Sequence, residues 1–211
     1  MTEKQLAKII EEEIISELEQ QESEIILECN KQLKVVMQDI ADMSNELWDS
    51  IIQQYYDSYV PNTYKRRNDN DLYKASEVYV NGIGITGTFG DASEIDDYPS
   101  ILKDQSVDSQ FVVDQLMEGN RGYKEGLEKI LGVDRMRYSK YIREGAYKVK
   151  VKCKIGKSHS AMIEGSPGEV IDQFIIYAEK YIKRRRAEIW NSLLPKYPLV
   201  EAIDGRLKVK K

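Results

Sequence analysis

The first sixty residues of this chain contain neither glycine nor proline. That absence removes the residues that most readily reverse or kink a backbone, so one or two long helices are expected there rather than a run of turns. Histidine is nearly missing as well. Only His159 is present, with two distant cysteines, Cys29 and Cys153, and this set has no metal-ligand spacing. Ser158 and Ser160 flank His159, but neighbours in a strand or turn point apart and cannot share a proton productively. A hairpin-turn histidine is the reading that remains. Cys29 falls in a helical pattern and Cys153 on the apolar face of a strand, which predicts buried thiols rather than a disulfide. No apolar run approaches the roughly 20 residues of a membrane span, so no membrane partner is expected. Glu11, Glu12 and Glu13 interrupt any secretory pattern near the start, and synthesis in the cytoplasm is expected.

Enough is present to build a core. The 211 residues are 41% hydrophobic and 32% charged, a balance that fits one α+β domain or a smaller domain with a helical extension. The net charge of −5 conceals an asymmetry. Residues 1–60 carry 4 Lys+Arg against 14 Asp+Glu, a net −10; residues 61–134 carry 8 against 14, a net −6; residues 135–211 carry 19 against 8, a net +11. An acidic front and a basic back point to head-to-tail contact between copies, to a basic face meeting an acidic partner, or to a solvated surface.

Within the first segment, Thr2 and Glu3 make a helix start. Leu6, Ile10, Ile14 and Leu18 recur every four residues. Ile25, Cys29, Leu33, Val36, Ile40, Met43, Leu47, Ile51 and Tyr55 continue in steps of three and four, which is one helical face. The stripe is weakest over Gln20–Glu24, where a break between two helices is compatible with the pattern. A single stripe on so long a helix must be covered by the rest of the fold or by another subunit, and the first twenty-odd residues are expected to reach outward.

Beyond the helix, Val78, Val80, Ile83, Ile85 and Phe89 among glycines predict a strand or a glycine-bent hairpin. Asp91–Ser100 reads as an acidic loop closed by Pro99. Asp108–Glu118 has helical spacing with Gly119 as its stop, and Tyr123–Leu131 reads as a further short helix. Tyr147, Val149, Val151, Cys153 and Ile155 define one face of a strand, with Lys148, Lys150, Lys152 and Lys154 on the other. Lys157–His159 turns into a partner strand over Ala161–Ile163. Ser166-Pro167-Gly168-Glu169 opens a helix that Pro195 ends. Gly205–Lys211 reads as a frayed basic tail. The expected divisions are a helix over 1–60, an α+β sheet domain over 61–204 and the tail over 205–211. The expected architecture is a long N-terminal helix, an antiparallel β-sheet and a long C-terminal helix packed on it.

Few motifs carry chemistry. Gly82-Ile83-Gly84-Ile85-Thr86-Gly87 has dinucleotide-fingerprint spacing, but no helix starts after it to meet a pyrophosphate. Asp91, Glu94, Asp96 and Asp97 lack the order of a calcium loop and read as a solvated loop. No catalytic residue, cofactor site or metal site is expected. Lys148–Lys154 and the run Lys183-Arg184-Arg185-Arg186 are candidate surfaces for a partner or for DNA phosphates. Lysines also guard exposed sheet edges, and cations near a helix C-terminus are favourable in themselves.

The junction Trp48…Tyr55-Tyr56…Tyr59-Val60-Pro61…Tyr64-Lys65-Arg66 closes the helix and leads into a glycine-containing strand. It resembles the phage tail-completion (head–tail connector) family. Phe111–Gly119 with Gly122 resembles that family's helix ending in a paired-glycine turn, and Ser166-Pro167 its late helix. The resemblance spans about residues 45–200. Tyr123 stands where the family has a histidine, and the N-terminal extension is longer. The resemblance implies a small α+β protein of the virion neck, made in the host cytoplasm, that forms a ring homo-oligomer and contacts connector and tail proteins without catalysis. It implies that Pro61 and the tyrosines brace the junction. A lysine-lined channel passing DNA without reading its sequence is compatible with that role. The competing expectation is a cytoplasmic nucleic-acid-binding or regulatory protein using the basic C-terminal third.

Overall fold

The computed structural model describes residues 3–58, 71–99, 106–119, 147–153, 161–197, 200–203 and 206–209. The chain is α+β, with two long helices and short antiparallel strands between and after them. Helix α1 runs unbroken over Glu3–Ser58, 56 residues. The break weighed at Gln20–Glu24 does not occur. Gln20 donates to Glu24 at 3.0 Å and Gln21 donates to Glu17, side-chain pairs at four-residue spacing that hold the polar stretch helical.

A 3₁₀ turn, Asp71–Ala75, leads into strand β1 (Ser76–Asn81), which pairs with β2 (Gly84–Phe89). The glycine-bent hairpin alternative is therefore the observed one. Its two-residue turn puts Gly82 at φ 65°, the left-handed region that primed hairpin turns need. The dinucleotide spacing is that of a hairpin. Strands β3 (Tyr98–Pro99) and β4 (Ser106–Val107) form a short second pair.

Helix α2, Ser109–Glu118, is capped as its sequence predicts. The Asp108 carboxylate accepts from the Gln110 N–H, and Gly119 closes the other end at φ 76° with its own N–H turned back to Gln115 and Leu116 carbonyls. Gly119 also accepts from the Tyr147 N–H through its carbonyl, joining α2 to the next strand. Strands β5 (Val149–Cys153) and β6 (Ala161–Gly165) pair in register Val151↔Ile163. Helix α3, Pro167–Leu193, starts in a complete capping box: Ser166 N–H to Glu169 Oε2 at 2.8 Å and Glu169 N–H to Ser166 Oγ at 3.3 Å. It ends where Pro195 enters a 3₁₀ turn, Leu194–Lys196. Strands β7 (Val200–Ile203) and β8 (Arg206–Val209) follow, so the tail expected to fray is paired over Arg206–Val209. Backbone ladder bonds between two short strands outweigh the basic, unpatterned composition read there. Expectations for Tyr123–Leu131 and Lys157–His159 lie outside the described residues.

The expected antiparallel sheet is present as four two-stranded ribbons among the described residues. One hydrophobic core joins the first three ribbons to the helices, drawing on Cys29 to Tyr55 of α1, Val112, Val113 and Leu116 of α2, β5, and Val170 to Leu193 of α3. Nearly every stripe residue from Ile25 onward is buried, with Met43 half-buried. Over Glu11–Glu24 the helix is exposed apart from half-buried Leu18 and Gln21. The outward reach expected of the first twenty-odd residues is thus observed over Glu11–Glu24. Among the described residues no helix is long and apolar enough to cross a membrane.

Candidate functional site: the braced junction and the lysine face

The aromatic junction forms because residues on the last turns of α1 face three separate segments. Trp48 is fully buried and donates through Nε1 to the Leu72 carbonyl at 3.0 Å, fixing the 3₁₀ turn, while its ring stands 6.4 Å from Phe89 of β2. Tyr55 meets Tyr147 edge to face at 5.5 Å, and the Tyr147 hydroxyl donates to the Ile51 carbonyl at 3.2 Å. Tyr56 lies 5.9 Å from Tyr73, whose hydroxyl donates to Gln53 at 2.9 Å. Burial raises the Tyr73 phenol pKa above its ordinary value, and the carboxylates of Asp49 and Asp57 push it the same way. Tyr55 and Tyr56 stand 6.0 Å apart, while Trp48 meets its own partners, Leu72 and Phe89; Tyr59, Pro61, Tyr64 and Arg66 lie outside the described residues. Tyr73, Tyr147 and Phe89 complete the cluster from distant parts of the chain, and sequence spacing alone does not reveal such pairings.

Two polar residues that the sequence reading passed over do as much as the aromatics. Asn45 donates to the Val78 carbonyl at 3.0 Å and accepts from the Val78 N–H at 3.2 Å. Gln54 repeats the arrangement on Lys150, donating to its carbonyl at 3.1 Å and accepting from its N–H at 3.0 Å. Each side-chain amide thus pairs with a strand edge as a further strand would. Nine residues are two and a half helical turns, so the amides leave opposite flanks of α1. One holds the β1–β2 ribbon and the other the β5–β6 ribbon. α1 therefore lies against one edge of each ribbon.

Gln54 also sets the attitude of β5. Val149, Val151 and Cys153 point into the core while Lys148, Lys150 and Lys152 point to solvent, as the alternation predicts. Lys150 makes an exposed ion pair with Glu164 at 3.6 Å, worth little in water. Lys154 lies outside the described residues. The second basic group is placed differently. Arg184 and Arg185 are half-buried and both reach Glu188, at 3.5 and 2.6 Å, and Arg184 also lies over the Tyr181 ring. Arg186 stands near Cys29, whose thiol pKa is raised by burial and drawn partly back by that guanidinium. Cys29 and Gln54 are 25 residues apart on α1, roughly 37 Å along the axis. Lys148–Lys152 and Lys183–Arg186 are therefore two surfaces, not one patch.

Between α1, β5 and α3 lies a cavity of about 200 Å³, lined by Met43, Glu46, Leu47, Ser50, Val151, Lys152, Cys153 and Phe174. It places one carboxylate and one ammonium at a mainly apolar opening. The acidic loop is internally bonded: Asp91 accepts from the Ser93 N–H, which lowers its carboxyl pKa, and Asp97 accepts from Ser106 and Ser109. Among the described residues no group of three His, Cys, Asp or Glu is arranged to hold a metal ion. His159 lies outside them. No family model, curated protein or solved structure matches this chain.

Proposed function

We propose that this chain is a structural component of a phage neck, assembling as a ring between the head connector and the tail and acting through subunit contacts without catalysis. The observation that carries the reading is the separation of surfaces on one rigid frame. An exposed acidic helical arm lies over Glu11–Glu24, and an outward lysine face is held at Gln54, roughly 45–65 Å further along α1. A ring requires two different faces of each subunit to meet, and unlike charge at separated sites is a simple way to specify that. The motif resemblance around Trp48–Arg66 gives the reading its particular context. Lys148, Lys150 and Lys152 also suit loose contact with passing DNA, since phosphate neutralisation needs charge and no base readout. The protein is made in the host cytoplasm and resides in the virion.

The exposed lysine face also supports the competing reading, a cytoplasmic nucleic-acid-binding or regulatory protein. Mass-spectrometric identification of what co-purifies with the tagged protein from its producing culture separates the two. Connector, capsid or tail proteins in stoichiometric amounts are the expected result. Nucleic acid with host factors and no particle proteins overturns the neck reading in favour of the other.

A further inference from the structure

The segment Glu11–Glu24 of α1 is the least explained surface of the molecule. It carries seven glutamates and no Lys or Arg, yet keeps apolar residues in line. Ile14 and Ile15 are each 48% exposed, and half-buried Leu18 continues their strip one turn on. Glu11, Glu17, Glu19 and Glu22 border it at helical spacing. An apolar strip of this kind calls for a cover, and its border decides which cover is possible. Side-by-side pairing with the same segment of another copy sets seven negative charges against seven, which disfavours a symmetric coiled coil. A nucleic acid or an anionic bilayer is repelled for the same reason.

The β5–β6 ribbon has the complementary character. Its outward face carries Lys148, Lys150 and Lys152; Glu164, across from Lys150, pairs with it at 3.6 Å, and Met162, across from Lys152, is 52% exposed. One exposed methionine among three lysines and one carboxylate, a surface of net positive charge, is complementary to an apolar strip bordered by anions. The sizes also agree: fourteen helical residues span about 21 Å, and the five residues of β5 about 17 Å. The arm cannot fold back onto its own ribbon, because α1 is one continuous helix and the ribbon is held at Gln54, thirty residues beyond Glu24.

We infer that the acidic arm of one copy docks on the lysine face of the β5–β6 ribbon of a second copy, Ile14 and Ile15 against Met162. This rests on the subunit-contact reading above and deepens it by assigning the two faces. The contact is heterologous, since the arm and the ribbon are different surfaces, and it propagates from copy to copy until a ring closes.

The test uses the full chain and exposed positions, so folding is not at stake. Chains bearing Ile14→Cys and chains bearing Met162→Cys are oxidised mildly, separately and mixed; native Cys29 and Cys153 are buried. The expected product is a disulfide-linked dimer of the two different variants, formed on mixing. Predominant Ile14→Cys homodimers, or no cross-link above that of separate samples, overturn the inference. Sedimentation equilibrium gives a second readout. Lys148→Glu with Lys150→Glu and Lys152→Glu weakens self-association about tenfold or more, and adding Glu11→Lys, Glu17→Lys and Glu19→Lys to the same chain restores it. Wild-type protein that stays monomeric at low salt, or combined reversal that restores nothing, also overturns it. If the contact is found but the protein is absent from particles, the neck reading fails and the interface stands. If the protein is in particles but the charge swap changes nothing, the interface fails alone.

Discussion

Replacing Asn45 and Gln54 tests whether side-chain amides hold the ribbons to α1. Asn45→Leu and Gln54→Met retain bulk, and methionine matches glutamine in helix propensity. Each native amide makes two bonds to a strand residue. Gln54 is near solvent, so water can replace its bonds to Lys150 and the loss is about 1 kcal/mol. Asn45 is half-buried and its removal leaves Val78 poorly solvated, a loss of about 2 kcal/mol. The sites are roughly 13 Å apart along the helix, beyond the range of strong coupling, so the losses add. For a chain of this size about 3 kcal/mol lowers Tm by roughly 6–12 °C. Urea titration gives the free energies, and hydrogen exchange gives the location. The Val78 and Lys150 amide protons exchange faster, each only in the variant that removes its acceptor. A combined loss below about 0.5 kcal/mol with unchanged exchange at both amides refutes the reasoning.

Gly119→Ala strains a φ of 76° and brings a Cβ to 2.7 Å from the Tyr147 carbonyl, so it costs about 2 kcal/mol or more in urea titration. Trp48→Phe removes the donor to the Leu72 carbonyl and leaves that buried acceptor bare, a loss of about 2 kcal/mol. Lys150→Glu with Lys152→Glu leaves monomer stability within about 0.5 kcal/mol, because both side chains are exposed. Burial holds the Cys29 pKa above its ordinary value, so the unfolded chain releases that proton first. Its contribution to stability is therefore intact below the ordinary thiol range and declines as pH rises through the folded pKa. Cys29→Ala removes that part of the alkaline decline in a pH series of urea midpoints.

Local rules carried the elements whose causes are local. The α1 stripe from Ile25 to Tyr55, the Asp108 and Ser166 caps, the Gly119 stop and the β5 alternation are each set by neighbours within a few residues. The attachment of the ribbons to α1 is not local. It depends on Asn45 meeting Val78 across 33 residues and Gln54 meeting Lys150 across 96. An amide on the flank of an apolar stripe looks like ordinary helix surface until its partner is in place. The strand at Arg206–Val209 was likewise hidden, since its register with Val200–Ile203 is fixed by pairing and not by composition. The two basic groups, distinct in the sequence but both within its basic third, lie against α1 roughly 37 Å apart, at Gln54 and near Cys29.

The neck assignment is tested most directly by labelling intact particles. Purified virions from the producing culture are decorated with an antibody to this chain and viewed by electron microscopy. The account predicts label at the junction of head and tail. Particles that carry no label while the protein is abundant in the lysate contradict it.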